Sequence, residues 1–165
     1  MSRTLALFAA PGMAAALLIA SAACRHSGQP RPAATPTAAK EASSDAKRWI
    51  ALGNRYFDTH QRAKAIEAYA KALELDPNNP DVLTDQGVMY SETAQYEQAI
   101  ANFQKAQAID ATHLPSLLNL GMLYAQYLND RDNAIKSWKR VIEIAPTTVQ
   151  AAKAHAYIER VKSLR

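Results

Sequence analysis

The side chains able to do chemistry are few in this sequence, and their spacing argues against catalysis. Among 165 residues there are one cysteine, Cys24, and four histidines, His26, His60, His113 and His155. No histidine has a second ligand at metal-binding spacing, and the sequence contains no HExxH, CxxC or glycine-rich phosphate loop. His155 and Glu159 stand four residues apart, the spacing of an ordinary surface pair on a helix. Asp81, Asp85 and Glu92 share one helical face, but a charged face is ordinarily just solvated. The reading is a chain with no catalytic residue, no metal site and no cofactor. Function is expected on a surface.

Charge narrows the kind of surface. The net charge of +4 divides into +2 for residues 1–45 and +2 for the remainder, counting Lys and Arg against Asp and Glu. The sequence pI of 9.2 is therefore largely a property of the N-terminal part. A nucleic-acid partner is announced by a clustered basic stripe, and none is evident, so no nucleic acid is expected.

The elements that position the surface form a repeat. From Trp49 the sequence reads W-x2-L-G-x2-Y through Leu52, Gly53 and Tyr56, followed by Ala65, Tyr69, Ala72 and Pro77. A step of 34 residues returns Leu83, Gly87, Tyr90, Ala99, Phe103 and Ala106. A second step of 34 returns Leu117, Leu120, Gly121 and Tyr124; after one extra residue come Ala134, Trp138, Val141 and Pro146. Matched residues at a fixed period are the signature of stacked supersecondary units. Each unit has two runs with apolar residues three and four apart, joined by a short polar turn, and so reads as a helical hairpin. A glycine within a helix costs about 0.5–1 kcal/mol relative to alanine. Gly53, Gly87 and Gly121 recur at one station and need a packing reason. The expected reason is close approach of the partner helix at its own small residues, Ala65, Ala99 and Ala134.

This pattern resembles the tetratricopeptide repeat family over roughly residues 46–148. The resemblance implies an all-α fold, a right-handed superhelical stack of three helical hairpins at 46–79, 80–113 and 114–148. A capping helix at 149–165 would follow. The quoted stations, Pro77 and Pro146 included, are assigned to the core. The sequence departs from the family at Gln86, where leucine is usual, at Ala111, where proline is usual, and in the residue inserted near Asn129–Asp132. The first helix of each hairpin is implied to line a concave groove for a peptide or partner helix. That places Lys47, Ile50, Ala51, Asn54 and Asp58 there from repeat one, and Asp81, Thr84, Asp85, Val88 and Glu92 from repeat two. Leu118, Asn119, Met122 and Gln126 follow from repeat three, with Leu118 and Met122 equally readable as packing between repeats. Asn54 matches one asparagine of the family's clamp for a terminal carboxylate. The clamp's lysine falls on Ile50 and its second asparagine on Asp85, so a carboxylate ligand is not expected. Polar at Asn54, acidic at Asp81 and Asp85 and apolar at Leu118 and Met122, the groove suits a segment with a basic or hydroxyl-rich middle and an apolar anchor.

The N-terminal part lies outside that pattern. Arg3 precedes an apolar stretch from Met13 to Ala20, too short to span a bilayer, and then Ser21-Ala22-Ala23 and Cys24. This resembles a bacterial lipoprotein signal, residues 1–23, cleaved before a lipidated Cys24. An ordinary secretory signal cut after Ala22 is the alternative. Residues 24–45 hold Gly28, Pro30, Pro32 and Pro36 among Ala, Ser and Thr and read as a disordered tether.

Helices are expected at about 46–58, 62–75, 80–92, 96–109, 115–127, 132–144 and 149–164. Ser43–Asp45, Asn79 and Thr147–Thr148 would act as N-caps. The last helix is polar and carries few large apolar residues, as the end of a stack requires.

The expectation is thus an exported, membrane-anchored adaptor of the bacterial cell envelope, facing the periplasm or exterior, that binds a protein or peptide segment. Pilus or secretion assembly, cytochrome maturation and wall synthesis are the settings the resemblance suggests. The alternative is a structural protein whose repeats associate head-to-tail.

Overall fold

The computed structural model describes residues 36–163. They form seven helices, with no strand among the described residues: α1 (Pro36–Asp58), α2 (Arg62–Leu75), α3 (Pro80–Glu92), α4 (Tyr96–Ile109), α5 (Leu114–Gln126), α6 (Arg131–Ile144) and α7 (Val149–Ser163). The signal segment and Cys24 lie outside the described residues. No described helix is long and apolar enough to cross a membrane.

Each helix packs on its sequence neighbours, and α3–α5 and α5–α7 also touch directly. The first helices of successive hairpins therefore form a layer of their own.

Turn chemistry repeats with the helices. His60, Ala94 and Asn129 occupy the same place after the first helix of each hairpin, and all three have positive φ (56°, 60° and 51°). In the first two turns a threonine hydroxyl donates back into the helix, Thr59 to the Arg55 carbonyl (2.8 Å) and Thr93 to the Met89 carbonyl (2.9 Å). A glutamine amide then donates to each hydroxyl, Gln61 to Thr59 and Gln95 to Thr93, both at 2.9 Å. The backbone N–H of Gln61 closes on the Tyr56 carbonyl (2.9 Å) and that of Gln95 on the Tyr90 carbonyl (2.8 Å). In the third turn Asp130 makes the same closure on Tyr124 at 2.8 Å, across one more residue. The insertion is absorbed there, and Asp130 also caps α6 by accepting from the Asn133 N–H (3.1 Å). An alanine in the left-handed region is disfavoured by about 1 kcal/mol, which glycine escapes. Ala94→Gly is accordingly expected to raise the urea midpoint, by an increment near 1 kcal/mol. An unchanged midpoint would show that the turn is not strained.

Between hairpins, the Asn79 side chain accepts from the Val82 N–H (3.2 Å), with Pro80 at the first helical position. Thr148 caps α7 by accepting from the Ala151 N–H (3.2 Å). At its N-terminus α1 differs from the sequence reading. It starts at Pro36 rather than near Ala46, and Ser43–Asp45 lie inside it instead of capping it. Pro36 opens the helix without needing an N–H, and the following residues include four alanines before Arg48, with no further glycine or proline until Gly53. The tether thus loses its last ten residues to α1.

Aromatic rings of the second helices anchor the core. Tyr69, Phe103 and Trp138 are buried, together with Ala65, Ala99 and Ala134, Ala72 and Ala106, and Leu83, Leu117, Leu120 and Val141. The glycines face those rings, not the alanines. A Cβ on Gly53 would stand 2.5 Å from the Tyr69 ring and one on Gly87 2.7 Å from the Phe103 ring. One on Gly121 would overlap the Trp138 indole. The close approach is therefore helix backbone against an aromatic ring. Leu52, Tyr56, Tyr90 and Tyr124 are only half-buried.

Three residues assigned to the core are exposed. Trp49 is 37% exposed, whereas Leu83 and Leu117 at the same station are buried, Leu117 in one core cluster with Trp138 and Val141 of α6 and Ala154 of α7. Pro77 and Pro146 are exposed in the turns, each two residues beyond a helix end, where they stop α2 and α6.

Both ends of the stack are solvated by charge. Arg48 and Arg55 stand where Val82 and Met89, or Ser116 and Leu123, are buried in later repeats. At the other end α7 buries Ala151, Ala154, Ile158 and Val161. Its Ala156 and Glu159 take the glycine and tyrosine stations and are exposed. It is the first helix of a hairpin, closed by a polar face.

Gln86, the departure from leucine, is buried and satisfied. Its amide donates to the Ile66 carbonyl (3.0 Å) and its carbonyl accepts from the Asn102 amide (2.8 Å), tying α2, α3 and α4 together.

Candidate functional site: two clefts on the first-helix layer

Two clefts open beside the first-helix layer, and most of the expected groove residues fall in or next to them. The first, about 240 Å³, is lined by Asn54, Phe57 and Asp58 of α1, Tyr69 of α2 and Asp85 of α3. The second, about 190 Å³, is lined by Val88, Ser91 and Glu92 of α3, Phe103 of α4, and Asn119, Met122, Leu123, Gln126 and Tyr127 around α5.

In the first cleft the Tyr69 hydroxyl donates to the Asn54 side-chain carbonyl at 2.9 Å. Burial, then the nearby Asp85 and Asp58 carboxylates, raise the Tyr69 pKa and hold the phenol protonated. Asp85 is half-buried, with no ion pair to lysine or arginine among the described residues. Burial, reinforced by the Asp81 charge and partly offset by His113, pushes its carboxyl up to about 6. A carboxylate in that position costs free energy unless a cation joins it. The cleft is built to favour positive charge.

His113 is a residue that the sequence reading leaves without a partner. It is buried, and its Nδ1 accepts from the Ser116 N–H (3.3 Å), which caps α5. That role leaves the proton on Nε2, which donates to Asp81 Oδ1 at 3.0 Å. Through His113 the start of α3 is tied to the cap of α5, near Asp85. Only the position of His113, matching the caps Asn79 and Thr148 of the neighbouring turns, hints at it.

In the second cleft, amide and hydroxyl groups of Asn119, Gln126 and Ser91 border the apolar surfaces of Val88 and Met122. Glu92 at its rim accepts from Arg62 Nε at 2.6 Å and is partly neutralised. Leu118 belongs to packing, since it lies against the core of the last repeat and its carbonyl accepts from Trp138 Nε1 (3.2 Å). Met122 both lines the cleft and packs on that core. Lys47 is exposed and lines neither cleft, and Asp81 reaches the site through His113 rather than by lining a cleft. No group of three metal-ligating side chains exists among the described residues.

The hairpin stack and its recurrent stations define a helical-repeat protein. The tetratricopeptide repeat family matches residues 46–79, 68–101 and 116–148, together more than half of the chain. The chain belongs to that family. Among solved structures it is similar to the first such domain of Spaghetti (RPAP3) bound to the HSP90 peptide SRMEEVD. That match has 23% identity, 74% of this chain and 94% of that one, and a TM-score of 0.66. The TPR2B domain of yeast Sti1 in its pHsp70 complex matches at 14% identity, 74% of this chain and 100% of that one, TM-score 0.69. The Sgt2 domain of Aspergillus fumigatus matches at 23% identity, 82% and 83% coverage, TM-score 0.64. At such identities the likeness shows the fold. No curated protein sequence matches the chain.

Proposed function

We propose that the protein is a non-catalytic adaptor of the bacterial cell envelope that holds a protein segment along its first-helix layer. Export, with a lipid anchor on Cys24, fixes it to a membrane, facing the periplasm or exterior. The observation that carries the binding role is the acidic cleft at Asn54, Asp58, Tyr69 and Asp85 next to the apolar and amide cleft at Val88, Asn119, Met122 and Gln126. The fold supports it too, since two of the similar domains were solved with peptide or Hsp70 partners. A segment with lysine or arginine and an apolar side chain matches both clefts.

The test is fluorescence anisotropy of labelled peptides against the full chain. Basic peptides with an apolar anchor are expected to bind at least about tenfold more tightly than acidic ones, a difference of about 1.4 kcal/mol. The combined Asn54→Ala, Asp85→Lys, Met122→Ala variant, checked for helicity by circular dichroism, is expected to lose that preference. Tighter binding of an acidic C-terminal peptide would sink the reading. Palmitate labelling of cells, lost in Cys24→Ala, tests the anchor separately.

A further inference from the structure

Charge is distributed unevenly over the folded chain. Residues 46–130 carry seven Lys and Arg against ten Asp and Glu, whereas residues 131–165 carry eight against three. The hairpins up to α5 are acidic and the last two helices basic. On those helices Lys136, Lys139, Lys153 and Arg160 are exposed, and none has a carboxylate at ion-pair distance among the described residues. Asp58 and Asp85 likewise lack a cationic partner at that distance, and Asp81 has only His113. The two regions do not neutralise each other within one molecule, because α6 and α7 pack on each other and on α5.

End-to-end stacking would not bring them together either. It would join ends that each carry both signs of charge, Arg48, Arg55 and Asp45 at one and Lys153, Arg160 and Glu159 at the other, and so would gain little from charge. The complementary face of the basic end is the acidic cleft. We infer that this cleft takes a second copy of the chain, the basic α6–α7 end of one molecule docking on the α1–α3 cleft of the next.

Three features support that occupant. Residues 36–165 have a net charge of only +1, so repulsion between whole copies is weak while the separated charges attract. Lys153 and Arg160 lie seven apart on α7, with exposed Ala152 and Ala156 beside and between them, and small residues let a helix approach closely. The contact joins two different surfaces, so it does not close on itself and copies can add in series. The inference rests on the cleft being a protein-binding face, as proposed above, and adds the identity of one occupant.

The experiment is light scattering of the full chain over a range of concentrations at low and high salt. The apparent mass is expected to at least double with concentration near about 50 mM salt, and to return to the monomer near about 500 mM, where screening is far shorter. Asp81→Lys with Asp85→Lys, and Lys153→Glu with Arg160→Glu, are each expected to remain monomeric while keeping wild-type helicity. An equimolar mixture of the two variants is expected to associate again, since the basic end of the first meets the unchanged acidic cleft of the second, and the reversed end and the reversed cleft also match. A monomer at all concentrations would overturn the proposal. So would association that ignores salt and both variants, as the apolar N-terminus would produce. Recruitment of the basic end to anionic vesicles with no self-association would make lipid its partner and also overturn it. Basic peptides binding a strictly monomeric chain would end this proposal but leave the adaptor reading standing. Restored association in the mixture with no peptide binding would do the reverse.

Discussion

Asp85→Asn is expected to make the protein more stable at neutral pH and worse at binding. The Asp85 carboxyl is pushed up to about 6 from an ordinary 3.8, first by burial and then by Asp81, with His113 opposing. Between those values the folded state holds the proton more tightly than the unfolded chain does. Stability from this group is therefore present below about 3.8, declines as pH rises through the window and is gone above about 6. Each tenfold difference in proton affinity between the folded and unfolded chain corresponds to about 1.4 kcal/mol, and solvent reaching the half-buried side chain reduces the sum. A gain of about 1–2 kcal/mol at pH 7 for Asp85→Asn is the expected size, read as a higher urea midpoint. Because His113, Asp81 and Asp58 face the same region, the informative quantity is the difference between variant and wild type across pH. That difference should shrink as pH falls from 7 to 4. Affinity for basic peptides should drop at least about tenfold at pH 7. A variant no more stable than wild type at pH 7 would show that the carboxylate is not under strain. Both expected results together would mark the site as a place where stability is given up for recognition.

Gly87→Ala is expected to destabilise the stack even though alanine is the better helix former. Propensity alone would favour the change by about 1 kcal/mol. Against this, the new Cβ would stand 2.7 Å from the Phe103 ring, which is buried in the core. Overpacking of this kind costs about 1–3 kcal/mol, so a net loss near 1–2 is expected in chemical unfolding. Phe103→Leu opens the space that alanine needs, and the double variant should lose less than the sum of the single losses. Strict additivity would mean that ring and glycine are not in contact. Gly121→Ala should be the harsher change. The Trp138 indole that it would overlap is also held by its hydrogen bond to the Leu118 carbonyl.

Much of this is legible in the sequence because repeats print each packing requirement three times. Gly53, Gly87 and Gly121 disclose a close contact by their recurrence alone. Residue types suggest alanine as the partner in that contact, since a small residue looks like the natural neighbour of a small one. In fact the glycine makes room for Tyr69, Phe103 or Trp138. Trp49 misleads for the opposite reason. Its station is apolar in every repeat, yet it is buried in the later repeats and exposed in the first, which a residue pattern does not register. Pro36 looks like linker punctuation beside Pro30 and Pro32, although proline is equally at home in a first helical turn. The acidic cleft is foreshadowed by Asp81 and Asp85. Its links through His113 and Tyr69 are not, because His113 and Asp81 lie 32 positions apart, and Tyr69 and Asn54 15. The Gln86 bridge escapes notice similarly, as it satisfies partners on two other helices.

The unequal burial of the two tryptophans gives the protein an internal optical gauge. Trp49 is 37% exposed in the first hairpin, while Trp138 is 2% exposed in the last, with its ring 5.3 Å from Tyr157. Emission from the first will be red-shifted and open to acrylamide quenching, and emission from the second blue and shielded. In a stack where each hairpin leans only on its neighbours, the ends can fray separately. Loss of the blue component ahead of helicity would mark melting from the α7 end. Simultaneous loss would mean that the three hairpins unfold as one cooperative body.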